Sequence, residues 1–183
     1  MNKILFGLLF VFFKPNFDFL DIGVAYYLTN IIGYLLLFIG VRELESVYEK
    51  VLKAKPYVLF MVGHSIFFFL LNISGNSPLT LPMDSYLATV SLIGLGFIIA
   101  GMFMVFVIIS ILIEGLQVEF NTRKLSIVTV LMMLTFALAG LCYFFIPVIA
   151  QILMSVLLFL NVLFLVSFYS TFLRNRERII ELE

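Results

Sequence analysis

Charge is what this chain has least of. Only 12% of its 183 residues are Asp, Glu, Lys or Arg, about half the norm of about 25% for soluble globular domains. The eleven Lys and Arg are balanced by eleven Asp and Glu, so no basic surface favours nucleic acid and no such partner is expected. A single cysteine, Cys142, excludes an intrachain disulfide, a four-thiolate zinc site and a CxxC redox pair. A single histidine, His64, leaves no second imidazole to ligate a metal or haem. HExxH, a Walker loop, a GxSxG elbow and paired carboxylates inside an apolar run are all missing. Neither a catalytic set, a metal nor a cofactor is expected, and the chain reads as non-enzymatic.

Apolar residues fill the space that charge leaves. They make up 63% of the chain, with a mean hydropathy of +1.20, more apolar surface than a soluble domain of this size can bury, so lipid has to act as its solvent. The run IGVAYYLTNIIGYLLLFIGV at 22–41 holds twenty uncharged residues and rises about 30 Å as a helix, the thickness of a bilayer core. Further runs at 57–73, 86–113, 125–141 and 148–172 predict four more spans. The third is long enough, at about 42 Å, to require tilt or protrusion.

Residues 2–13 differ. Lys3 precedes ten apolar residues with no small-residue cleavage site before Lys14 and Pro15, so retention is expected. Ten helical residues rise only about 15 Å, which predicts a half-span, a re-entrant helix or an interfacial helix. A short tilted crossing ending near Phe19 is the alternative. The expected architecture is therefore an all-α, polytopic transmembrane helix bundle in one domain, with five full spans, this N-terminal short helix and a charged tail at 173–183. Asp21 and Asp84 are placed to cap helices, and Pro147 to open the last one. The segment RELESVYEKVLKAKP has the spacing of a short surface helix.

Lys and Arg set the expected orientation. Arg42, Lys50, Lys53, Lys55, Arg123, Lys124, Arg174, Arg176 and Arg178 fall in segments that alternating spans put on one side, which the positive-inside rule makes cytoplasmic. The C-terminus is then inside. Met1 is inside if the first helix crosses and outside if it re-enters or lies flat.

Depth follows by counting. Asn30 lies eleven residues from Val41, and Asn161 eleven from Phe172, which puts both about 16 Å deep, while His64 lies about 10 Å in. Helical spacing groups Gly23, Tyr27, Asn30 and Tyr34 on one face of the first span, and Tyr57, Met61, His64, Phe68 and Asn72 on one face of the second. Tyr27, Asn30, His64, Asn72 and Asn161 are thus candidate ligand-binding residues. The same amides and imidazole serve equally as interhelical hydrogen bonds, worth roughly 0.5 to 2 kcal/mol each. Gly33 and Gly40, and Gly96 with Ala100 beside Gly94 and Gly101, form small-residue faces for close helix contact within the monomer, in a homodimer or with a membrane-protein partner.

The stretch NFDFLD followed by TNIIGYLLLFIGVREL resembles a pattern in small uncharacterised integral membrane proteins of Firmicutes. Gly33, Tyr34, Gly40 and Arg42 fit it, while Thr29 and Asn30 stand where those proteins have Pro-Asp. The resemblance covers the first quarter of the chain and implies a bacterial cytoplasmic membrane, with no assigned activity. In length and span number the chain also resembles the substrate-binding subunits of energy-coupling-factor vitamin transporters. Two readings follow: a non-enzymatic subunit, regulator or partner of another membrane protein, or a small-solute binding or transport component. Amides paired in a dry core favour the first. A cavity lined by them under the N-terminal helix favours the second.

Overall fold

A computed structural model describes residues 1–12, 19–20, 22–45, 48–80, 86–116 and 122–173, and among these there are six α-helices and no strand. They are α1 (Asn2–Phe12), α2 (Val24–Leu44), α3 (Lys55–Ile73), α4 (Tyr86–Leu116), α5 (Arg123–Phe145) and α6 (Pro147–Phe168). A 3₁₀ segment (Glu49–Ala54) leads into α3, and a π-turn (Tyr169–Leu173) ends α6. α2 to α6 are each long and apolar enough to cross a membrane, α3 together with its 3₁₀ lead and α6 with its π-turn. The surface is correspondingly inside out: Phe145 is 81% exposed and Phe159 67%, which only an apolar surrounding tolerates.

The helix ends follow from their residues. Pro56 opens α3, where its missing N–H costs nothing. At the other end of α3, Gly75 takes φ +73°, and the N–H groups of Gly75 and Asn76 reach back to the carbonyls of Asn72 and Leu71 at 3.2 and 3.0 Å. That is a Schellman stop, and the left-handed position suits glycine. Between α5 and α6 only Ile146 leaves the helical ladder, because Pro147 begins the next helix without a donor, as expected. Asp21, Asp84 and the tail beyond Leu173 lie outside the described residues. Gly23 holds the N-cap position of α2, with no side-chain cap. The surface helix expected after the first span is replaced by continuation of α2 to Leu44 and then the 3₁₀ segment.

α1 runs antiparallel against the C-terminal half of α2 and does not lie flat. Lys3 pairs with Glu43 at one end, Ile4 fills the notch over Gly40, and Val11 reaches Gly33. Gly7 and Gly33 meet backbone to backbone: a Cβ on Gly7 would stand 2.7 Å from the Gly33 carbonyl oxygen, and one on Gly33 would stand 2.9 Å from that of Gly7. Phe19 then packs on Gly140, Phe136 and Tyr143, near the opposite end of α5. Met1 and Phe19 therefore stand at opposite ends of the bundle, with α1 on the first half. Met1 shares an end with Arg42, Lys55 and Arg123.

α4 follows the chain from the 3₁₀ segment to Pro78 through one glycine stripe. Gly115 takes Val51, Gly101 takes the His64 ring, and Gly94 takes Pro78, whose carbonyl also accepts a hydrogen bond from Ser91. α5 pairs with α6, α1 with α2, and α2 with α3, while α4 rests on α3, α5 and the 3₁₀ segment. Among the described residues α4 makes no extensive pairing with α2 or α6.

Candidate functional site

Where α4 stands off from α2 and α6, a cavity of about 110 Å³ opens. α1 and the following segment close it with Val11, Phe12 and Phe19, and α4 and α5 contribute Met102, Phe106 and Phe136. Its polar groups come from two helices: Tyr26, Asn30 and Tyr34 at four-residue steps on α2, and Asn161 on α6. Among the described residues, no carboxylate, imidazole, thiol, ammonium or guanidinium lines it. These described residues can hydrogen-bond and pack, and they offer an ion no countercharge.

Asn30 and Asn161 are 4% and 8% exposed and share this cavity, as equal depth on two helices predicts. They differ in what they do. The Asn30 side chain is hydrogen-bonded to Tyr26. The Asn161 amide faces the cavity with no hydrogen-bond partner among the described residues. A primary amide has two donors and a carbonyl acceptor, and leaving them open in an apolar setting is costly.

The other three expected binding residues lie elsewhere. His64 sits on the α3–α4 seam: its Nε2–H donates to the Phe97 carbonyl at 3.1 Å. Phe97 is one helical turn before Gly101, so the missing side chain at 101 bares that carbonyl to the imidazole. The ring is further packed on Phe68, with centroids 4.7 Å apart. Asn72 donates to the Phe68 carbonyl of its own helix at 3.0 Å, satisfying itself near the α3 end. Tyr27 is buried and stacked on Phe68 at 5.9 Å, its hydroxyl without a partner among the described residues. The second span's inward face is accordingly Val58, Met61, Val62, Ser65 and Phe68. Tyr57, expected inside, is 40% exposed.

Tyr26 and Tyr34 belong to the site although the expected site set omitted them. The signal was available: 26, 30 and 34 are spaced i, i+4, i+8 as regularly as 27, 30 and 34 are at three and four. One residue turns a helix by about 100°, and the structure selects Tyr26 for the cavity and Tyr27 for α3. Among the packing glycines, Gly33, Gly40, Gly94 and Gly101 all receive side chains from within the chain. Gly96 has open space around it and Ala100 is exposed, so that pair faces outward. Gly7, Gly115 and Gly140 complete the set of close contacts. No group of His, Cys, Asp and Glu able to hold a metal occurs among the described residues. No protein-family model, curated protein or solved structure matches this chain.

Proposed function

We propose that the chain is a non-catalytic small-solute binding or transport component of a bacterial cytoplasmic membrane. Its cavity between α2, α4 and α6 is the binding site, and its basic end faces the cytoplasm. The observation that carries this is the open Asn161 amide, aimed into a cavity that the Asn30–Tyr26 pair and Tyr34 make polar on the other side. The chemistry selects an uncharged molecule with hydrogen-bonding groups of both senses. The volume, below the roughly 300 Å³ of the smallest drug-sized sites, keeps that molecule small. The orientation is supported by Arg42, Lys55 and Arg123 at one end of the bundle, with no Lys or Arg in 74–80 or 142–147 at the other.

Native mass spectrometry of the purified chain, released from detergent, tests the reading. Wild type and His64→Ala are expected to carry a stoichiometric small molecule that Asn30→Leu and Asn161→Leu lose. An empty wild type, or a ligand kept by both Asn variants, overturns it.

A second reading, docking on a partner membrane protein or a second copy, draws on Gly96 and Ala100, one turn apart on α4 and outward-facing. Cysteine crosslinking in membranes from position 100 tests it: a specific adduct is expected if that face is occupied, and only monomer if lipid covers it.

A further inference from the structure

At the basic end a groove of about 460 Å³ lies between the 3₁₀ segment, the start of α3 and the end of α4. Lys50, Lys53, Tyr57, Ile111 and Glu114 line it. Its position is membrane-boundary: Glu114 is the first charged residue of α4 after the uncharged run 86–113, and Tyr57 is an exposed aromatic one turn into α3. In a 3₁₀ helix, residues three apart eclipse one another, so Lys50 and Lys53 stand in one row. Their support is firm, because Val51 is fully buried and seated on Gly115. Ala54 is also fully buried, and Lys55 is tied to Glu45 at 2.9 Å.

The lysines differ in their partners. Lys3 and Lys55 each hold a carboxylate, whereas Lys50 and Lys53 have none among the described residues, although both reach the groove. Among the described residues, two ammonium groups against one carboxylate leave the lining one positive charge in excess. One helical turn from Tyr57 and Ile111, on the same faces of α3 and α4, stand Phe60 and Val107, 52% and 42% exposed, an apolar surface on the bilayer side of the groove. We infer that this groove seats the headgroup of an anionic glycerophospholipid: its phosphodiester lies against Lys50 and Lys53, and one acyl chain runs along Phe60 and Val107. The apolar surface selects a lipid over a soluble phosphate. Glu114 selects a singly charged diester over a more highly charged monoester by like-charge repulsion.

Spin-labelled phosphatidylglycerol and phosphatidylcholine, compared in phosphatidylcholine vesicles containing the full chain, test the site. Wild type is expected to immobilise phosphatidylglycerol preferentially. Lys50→Gln and Lys53→Gln should each lower that preference about fivefold, as about 1 kcal/mol per basic residue near an anionic surface implies. Both side chains are exposed, so the fold is retained. Arg42→Gln and Lys124→Gln, exposed and outside the groove, should keep the preference. Glu114→Gln should let phosphatidic acid compete. No preference in wild type overturns the inference, as does equal loss in the Arg42 and Lys124 variants, which would make the effect a diffuse one of the whole basic end. Displacement of the labelled lipid by glycerophosphoglycerol, the soluble diester without acyl chains, at matched concentration would make the groove a soluble-phosphate site and overturn the lipid assignment.

Discussion

His64 and Asn161 are both polar side chains inside a membrane bundle, and Gly101 borders the surroundings of each, yet they are used in opposite ways. On the α3–α4 seam the missing Cβ of Gly101 is filled by the imidazole, which finds the Phe97 carbonyl. Between α2, α4 and α6 the helices stand apart and the Asn161 amide finds no partner among the described residues. Polarity at depth is therefore not in itself a sign of a site. A polar group satisfied by its own bundle contributes to folding. One left open lowers stability, and such costs concentrate where a function requires them.

The strongest way to break the comparison is to refill the closed seam. A Cβ on Gly101 would stand 2.5 Å from His64 Cε1, so Gly101→Leu forces α3 from α4, at about 3 kcal/mol for overpacking. Thermal unfolding in detergent should show that loss, and because Gly101 also lines the cavity, ligand retention should fall with it. His64→Ala acts on the seam alone. It removes the bond to Phe97 and leaves a void, for about 1 to 2 kcal/mol, with ligand retention unchanged. If the Ala variant loses the ligand at unchanged stability, the two sides of Gly101 are one site and the contrast fails. Asn161→Leu should behave in reverse: removing an open amide is expected to raise stability by about 1 kcal/mol while abolishing retention.

The division between the two sides also separates what the sequence discloses from what it does not. Height along a helix follows from a fixed rise of 1.5 Å per residue, so the shared level of Asn30 and Asn161 could be counted, as could five spans from five uncharged runs. Azimuth relative to the neighbours is set by which surfaces interlock. Hence His64 packs on the α3–α4 seam and not beside Asn30 and Asn161, and Tyr26, not Tyr27, reaches the cavity. Gly33 and Gly40 were recognisable as contact points by their seven-residue spacing. Their partner was not, since α1 is too short to be recognised as a span and its antiparallel seating depends on Gly7. Gly94, Gly96, Ala100 and Gly101 read as one cluster, but Gly94 and Gly101 share a heptad position with Gly115 while Gly96 turns about 200° away from Gly94. Close contacts on the first three and open space at Gly96 are the consequence.

Tyr27 is the finest test, because it is the exception on the closed side. Its ring is 1% exposed and stacked on Phe68, in the cluster with Ile22 and Ile98, but its hydroxyl has no partner among the described residues. If the closed side is dry, that hydroxyl is a net cost, and Tyr27→Phe should stabilise the chain by up to about 1 kcal/mol. Ligand retention should be untouched, since Tyr27 does not line the cavity. The buried Ser65 hydroxyl on α3 is likewise without a partner among the described residues. If Tyr27→Phe instead costs about 1 kcal/mol or more, the hydroxyl is bonded in solution, through a water that such buried groups can hold. The side facing α3 would then be wet, and the distinction between a sealed seam and an open cavity would have to be redrawn around Tyr27.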